Sequence, residues 1–247
     1  MSHTDVLLLS LLILCAAALY SSVGHGGASA YLAAMALFGL APAVMKPTAL
    51  CLNLLVASLT TFRFWRAGYF SWRIFLPFAA ASIPFAFLGG ALTLPAGVYK
   101  PVVGVVLLFA AVRLFMHARA LAQESEPRLP PLWVAATLGA GIGFLSGLTG
   151  VGGGIFLSPV LLLMNWADVR RTAAVSAAFI LVNSAAGLLG NLTSVRVLPA
   201  AIPYFALAAL IGGLIGSELG SRRLPTLAIR RLLALVLVVA GVKLIFA

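Results

Sequence analysis

Two glycine-dense stretches hold the residues of this chain whose types and spacing can do chemistry. One reads Ser22-Val23-Gly24-His25-Gly26-Gly27-Ala28 and the other Thr149-Gly150-Val151-Gly152-Gly153-Gly154-Ile155; Val23-Gly24 aligns with Val151-Gly152 at a spacing of 128 residues. Glycine loses the most backbone freedom on ordering and fills no space, so such clusters interrupt helices. Where a helix restarts, its first N–H groups lack partners and carry a partial positive charge, which suits an anion. The chemistry expected is therefore anion binding by backbone N–H groups from Gly24 to Gly27 and from Gly152 to Ile155. Gly24, Gly26, Gly27, Gly152, Gly153 and Gly154 form the two tips, with the hydroxyls of Ser22 and Thr149 beside them. His25 is the titratable group expected at a tip. It either holds a proton that balances an anion or serves as a capping, hydrogen-bonding histidine. The competing reading of the glycines is packing, since small residues let helices approach closely in a membrane.

Further polar residues fall at helical spacing. Lys46, Asn53 and Thr60 are seven apart, and Thr172, Ser176 and Asn183 stand at i, i+4 and i+11, so each set shares one helix face. Polar stripes inside apolar spans face a cavity or another helix. Asn53 and Asn183 either donate to substrate oxygens or bond between helices, while Lys46 and Arg171 read as topology anchors, with substrate ligands as the alternative. Glu218 precedes Arg222 by four residues, which makes an i, i+4 ion pair, with proton coupling as the alternative.

The elements that must position these residues follow from composition. Of 247 residues 63% are hydrophobic and 9% charged, against roughly 25% charged in soluble domains. The chain therefore reads as an all-α polytopic membrane protein. The net charge of +11 sits at helix ends, so membrane orientation explains it and nucleic acid is not an expected partner. Cys15 and Cys51 read as small core residues without a disulfide or metal pattern, and no metal or cofactor is expected. Residues 1–22 lack a basic start and run straight into the first glycine break, so they read as mature chain and not as a cleaved signal.

Spans are expected at 6–39 (broken at 21–27), 47–64, 74–93, 97–115, 132–164 (broken at 149–154), 171–190, 200–219 and 227–246. The halves repeat: Leu94-Pro95 matches Leu224-Pro225, and Val112-Arg113-Leu114 matches Val242-Lys243-Leu244. The division is a first repeat over 1–116, a cytoplasmic linker over 117–131 and a second repeat over 132–247, within one membrane domain. Residues 6–39 as one helix would run about 50 Å against a hydrocarbon core of about 30 Å, so each broken segment is expected to dip in and return. That arrangement places twelve basic residues on one side and only Lys46, Lys100, Arg196 and Lys243 on the other. Single crossings would divide the sixteen eight and eight. The positive-inside rule favours the hairpin arrangement. It puts Trp65, Trp72, Trp133 and Trp166 near the cytoplasmic interface and both termini outside, and it makes the repeats inverted, with the two tips meeting near the midplane.

The run Gly141-Ile142-Gly143-Phe144-Leu145-Ser146-Gly147-Leu148-Thr149-Gly150-Val151-Gly152-Gly153-Gly154, followed by Pro159, Arg171-Thr172 and Asn183, together with Ser21-Ser22-Val23-Gly24-His25-Gly26-Gly27, resembles the sulfite exporter TauE/SafE family, also called the toluene sulfonate uptake permeases. The resemblance covers nearly the whole chain. It implies a carrier of the bacterial or archaeal inner membrane for sulfite, sulfonates or related organic anions. The expected partners are a small anion and the lipid bilayer, and a homodimer is compatible with this reading. Among rival functions, an enzyme would need an acid near His25, yet Asp5 and Asp168 both lie at segment ends. An anion channel of the same architecture is the closer rival.

Overall fold

The computed structural model describes residues 2–116, 129–192, 198–222, 237–238 and 241–246. It is helical: α1 (His3–Ser21), α2 (Ala28–Leu37), α3 (Pro42–Arg66), α4 (Trp72–Ala91), α5 (Ala96–Met116), α6 (Leu132–Thr149), α7 (Gly154–Leu163), α8 (Val169–Gly190) and α9 (Ile202–Arg222). Six of these, α1, α3, α4, α6, α8 and α9, are long and apolar enough to cross a membrane. Most of the expected linker (117–128) and most of the expected eighth span lie outside the described residues.

Local chemistry sets the helix starts. Ser2 and Asp5 close a capping box on α1, and the Asp168 carboxylate accepts from the Arg170 and Arg171 N–H groups at the start of α8. Pro42 opens α3, where its missing N–H costs nothing.

The helices of the two halves pack in exchanged pairs. α1 lies on α9 as α6 lies on α4, while α3 lies on α9 as α8 lies on α4. Two of these contacts are rows of glycine. Gly139, Gly143 and Gly147 of α6 sit so close to the carbonyls of Phe78, Ser82 and Ala86 that a Cβ on any of them would overlap α4 backbone. In the other pair, Gly212, Gly216 and Gly220 of α9 press in the same way on the carbonyls of Leu14 and Ala18 in α1 and of Ser22 at its end. Numbering rises together on both partners, so each pair runs parallel. Lipid chains are as apolar as leucine, so burial contributes little to holding these helices together. Close backbone approach replaces it, through dispersion and weak Cα–H···O contacts.

At the centre α3 and α8 run antiparallel. Leu50 lies on Gly187, Asn53 reaches Ser184, and Phe64 packs in one cluster with Ala173. Both helices bury polar residues, as their spacing predicts: Lys46, Asn53 and Thr60 of α3 and Thr172, Ser176 and Asn183 of α8. Cys15 departs from expectation. It is exposed, and Cys51 is only partly buried. Trp65, Trp72 and Trp133 are exposed, while Trp166 is buried against Phe78.

The glycine rows generate a prediction. Gly143→Leu and Gly216→Leu each drive a side chain into helix backbone and should cost about 1–3 kcal/mol or more. Gly141→Leu, with nothing within 4 Å of the added carbon, should leave stability unchanged. Thermal unfolding of purified protein in detergent reads the difference.

Candidate functional site

Each break is a turn built from residues that accept unusual backbone angles. Gly24 and Gly27 in the first tip have φ of +81° and +100°; Gly150, Gly152 and Gly153 in the second have +82°, +85° and +81°. Residues with a Cβ rarely enter this region. The long arm of each segment, α1 or α6, has spanning length, while the short arm, α2 or α7, has ten residues. The arms are therefore unequal. Gly24 stops against Ala173 near the start of α8, and Gly150 stops against Lys46 near the start of α3. The short arms begin near the middle of the bundle.

The tips meet there. A Cβ on Gly26 would strike the Asn53 side chain and Ile180, and a Cβ on Gly152 would strike Asn53, Ile180 and Ser184. Asn53 is the twelfth residue of α3 and Ile180 the twelfth of α8, so the meeting point lies at mid-length of both central helices. Asn53 Nδ2 donates to the Val151 carbonyl at 3.3 Å and to Ser184 Oγ at 3.4 Å, which ties α3 to the opposite half's tip. Its Oδ1 is buried without a hydrogen bond, as are Asn183 Oδ1 and Ser146 Oγ. A buried polar atom left this way costs about 1–3 kcal/mol, which a bound polar ligand relieves.

Not every expected donor is available. The N–H groups of Gly24 and His25 donate to the carbonyls of Ser21 and Tyr20, closing the end of α1. At the second tip, the Gly150 N–H donates to Ser146 in the same way. The first hydrogen bond of the α2 ladder is Tyr31 N–H to Gly27 and the first of α7 is Phe156 N–H to Gly153. That leaves the N–H groups of Ala28, Ser29 and Ala30, and of Gly154 and Ile155, outside the ladders.

Several expected side chains also turn inward. Ser22 and Thr149 hydroxyls donate to Leu19 and Leu145 within their own helices, and Thr172 to Ala167. Asn183 Nδ2 donates to Phe179, one turn back in α8, at 2.8 Å. Asn183 thus does not mirror Asn53. In each case the helix offers a carbonyl within reach of a short side chain, and in apolar surroundings that partner wins.

His25 reaches across the halves. Its Nε2 lies 3.1 Å from Ser158 Oγ on α7, and Ser158 Oγ lies 2.8 Å from Ser176 Oγ on α8. The ring stands edge-on to Tyr20, whose hydroxyl accepts from Ser29. The Tyr31 hydroxyl donates to the Gly26 carbonyl at 2.7 Å and so braces the first tip. Glu218 pairs with Arg63 of α3 at 2.6 Å and is 45% exposed; the side chain of its expected partner Arg222 lies outside the described residues. Arg171 is exposed beside Asp168, as an anchor would be. Lys46 is not: it is buried, and its ammonium donates to the carbonyls of Gly89, Gly90 and Leu92 at the end of α4.

Sequence reasoning passed over Ser146, Ser158, Ser184, Tyr31 and the cap made by Lys46. A signal existed for Ser184, which adjoins Asn183. Ser158 gives none, because its role depends on a histidine 133 residues away. Among the described residues no group of three His, Cys, Asp or Glu side chains gathers to hold a metal ion.

Comparison with known proteins gives a consistent result. Residues 9–244 match the family described as sulfite exporter TauE/SafE. The chain is 42% identical over 248 residues to the probable membrane transporter protein y4hK of Sinorhizobium fredii, covering 98% of this chain and 99% of that one. It is 29% identical to the probable membrane transporter protein YjnA of Bacillus subtilis, over 92% and 95% of the two chains. A 27% identity to the probable membrane transporter protein MJ0441 of Methanocaldococcus jannaschii covers 55% of this chain and 51% of that one. No solved structure matches.

The meeting of the tips can be tested by a double-mutant cycle. Gly26→Ala places a methyl group against Asn53 and should destabilise the protein by about 1–3 kcal/mol. In the Asn53→Ala background the same change should cost less, with a coupling of about 0.5–3 kcal/mol. Additive unfolding free energies would mean that the two residues do not touch.

Proposed function

The chain belongs to the sulfite exporter TauE/SafE family, and from that premise we propose that it is a secondary transporter exporting sulfite, a sulfonate or a related small oxyanion across the bacterial inner membrane. The observation that carries the proposal is the convergence of Gly26 and Gly152 on Asn53 and Ile180 at mid-length of α3 and α8. The anion binds between the two short-arm starts. Gly27, Gly153 and Gly154 present backbone there, and Asn53 and Ser184 supply side-chain polarity. Helix starts suit the task because they carry no mobile charge. A lone arginine at mid-membrane costs about 2.5–3.5 kcal/mol on insertion scales, whereas a helix start contributes about 0.3–2 kcal/mol without that penalty. Weak binding is what turnover requires.

On this reading the halves are inverted repeats, each a re-entrant broken segment plus three spans, with both termini periplasmic and the 117–131 linker cytoplasmic. The antiparallel run of α3 and α8, which occupy equivalent places in the two halves, supports it, as do the exchanged packing pairs. Proton coupling through His25, with Ser158 and Ser176 as its hydrogen-bonded path, completes the proposal.

Proteoliposomes loaded with sulfite, methanesulfonate, sulfate or chloride, with and without a pH gradient, test the function. Saturable efflux of one oxyanion is expected; unitary currents would assign the protein to channels instead. In Gly153→Val, whose added side chain would meet Phe179 and Ile142, affinity for the best anion should fall about tenfold or more, or 1.4 kcal/mol. Wild-type affinity in a monodisperse preparation would remove the tip from the site. His25→Gln should bind the anion while its transport no longer responds to the pH gradient. An unchanged response would take His25 out of the coupling.

A further inference from the structure

Beyond the second tip lies a cavity of about 100 Å³, lined by Pro42, Lys46, Leu92, Thr93, Tyr99 and Asn191 among others. We propose that it is a second anion site, in which small organic monoanions such as sulfonates are held before or after they occupy the tips.

Charge is the first argument. Lys46 is 6% exposed, and its ammonium meets three carbonyl oxygens, at 3.3, 2.9 and 3.1 Å, and no carboxylate of the described residues. The chain has five acidic residues. Of the three described, Asp5 serves the cap of α1, Asp168 the cap of α8, and Glu218 pairs with Arg63. Carbonyls at a helix end offset part of a cation's charge, yet a buried cation without a counter-ion leaves a positive field in any adjoining low-dielectric space. The cavity is that space, and an anion entering it is the missing counter-ion.

The second argument is an available donor. Asn191 is 3% exposed and lines the cavity, and its side-chain amide hydrogen-bonds to none of the described residues. An amide N–H beside a buried ammonium recognises an oxyanion head group. Pro42, Leu92 and Leu94 supply apolar wall for a short tail, which favours organic anions over inorganic dianions.

Position gives the cavity its role. A Cβ on Gly150 would come within 3.2 Å of the Lys46 side chain and carbonyl, and the Tyr99 hydroxyl donates to the Thr149 carbonyl at 2.9 Å. Two lining residues therefore rest directly on the second tip. The holding role rests on the tip reading above; binding in the cavity does not.

The test uses full-length protein in detergent with Cys15 and Cys51 replaced by alanine and Thr93→Cys at the cavity. Anionic sulfonatoethyl methanethiosulfonate should modify this thiol about tenfold faster than the cationic trimethylammonium-ethyl reagent, as expected for one partly screened charge nearby. Methanesulfonate should slow the anionic reagent. Lys46→Met should bring the two rates together. Because that change also removes the cap of α4, Asn191→Leu is the second variant; it leaves the cap in place and should weaken methanesulfonate protection. Equal rates in the parent protein, or a preference and protection that survive both variants, would overturn the site. Gly153→Val separates the two readings. Loss of transport with the reagent preference kept supports both sites, and wild-type transport with the preference kept overturns the tip site alone.

Discussion

An unpaired backbone N–H or C=O costs several kcal/mol in hydrocarbon, and this chain breaks two of its helices inside the apolar bundle. Nearly everything else about the fold answers that constraint. The ends of the long arms are closed by tight turns, in which His25 N–H returns to Tyr20 and Gly150 N–H to Ser146. The carbonyls of the turns are met from elsewhere: Tyr31 bonds Gly26, Asn53 bonds Val151 and Tyr99 bonds Thr149. What stays open is chiefly N–H, at the starts of α2 and α7. Among the backbone groups the tips keep donors open, the arrangement the proposed anion requires, while the side-chain oxygens of Asn53 and Asn183 also stay unbonded.

Such turns need rigid surroundings, since a shift of an ångström would break these bonds. Rigidity here comes from glycine as well. The rows on α6 and α9 bring backbones into contact with α4 and α1, which no pair of leucine-faced helices can do. The result is two tight parallel pairs flanking the antiparallel α3 and α8, whose buried asparagines and serines sit where the tips arrive. The same residue type thus breaks helices in one register and locks them in another. Spacing separates the two uses: clustered glycines, several with positive φ, turn the chain, and glycines four apart face a neighbour.

That distinction marks what was legible in the sequence. The breaks expected at 21–27 and 149–154 appear between Ser21 and Ala28 and between Thr149 and Gly154, because glycine density acts locally. The buried polar stripes of α3 and α8 were legible from periodicity. The unequal arms were not: the hairpin argument used total length, and only packing against Ala173 and Lys46 decides how far each long arm runs. Lys46 read as an anchor because its charge suggests a membrane boundary, yet its partners are carbonyls 43 to 46 residues away. Asn53 and Asn183 look alike in sequence. Their different partners depend on which acceptor lies nearer in three dimensions.

The asparagines bear on how such a carrier works. Asn53 holds the opposite half's tip through Val151, while Asn183, at the equivalent place in α8, bonds its own helix at Phe179. The scaffold is exchangeable between halves and the site is not. Part of the difference is covalent, since the first tip carries His25 where the second carries Gly153. The rest is local packing, since Asn53 also meets Ser184 across the α3–α8 contact while Asn183 Nδ2 stays within its own helix. For the inverted-repeat transporter proposed above, two rigid pairs around an asymmetric centre would let the centre change while the α1–α9 and α4–α6 contacts hold.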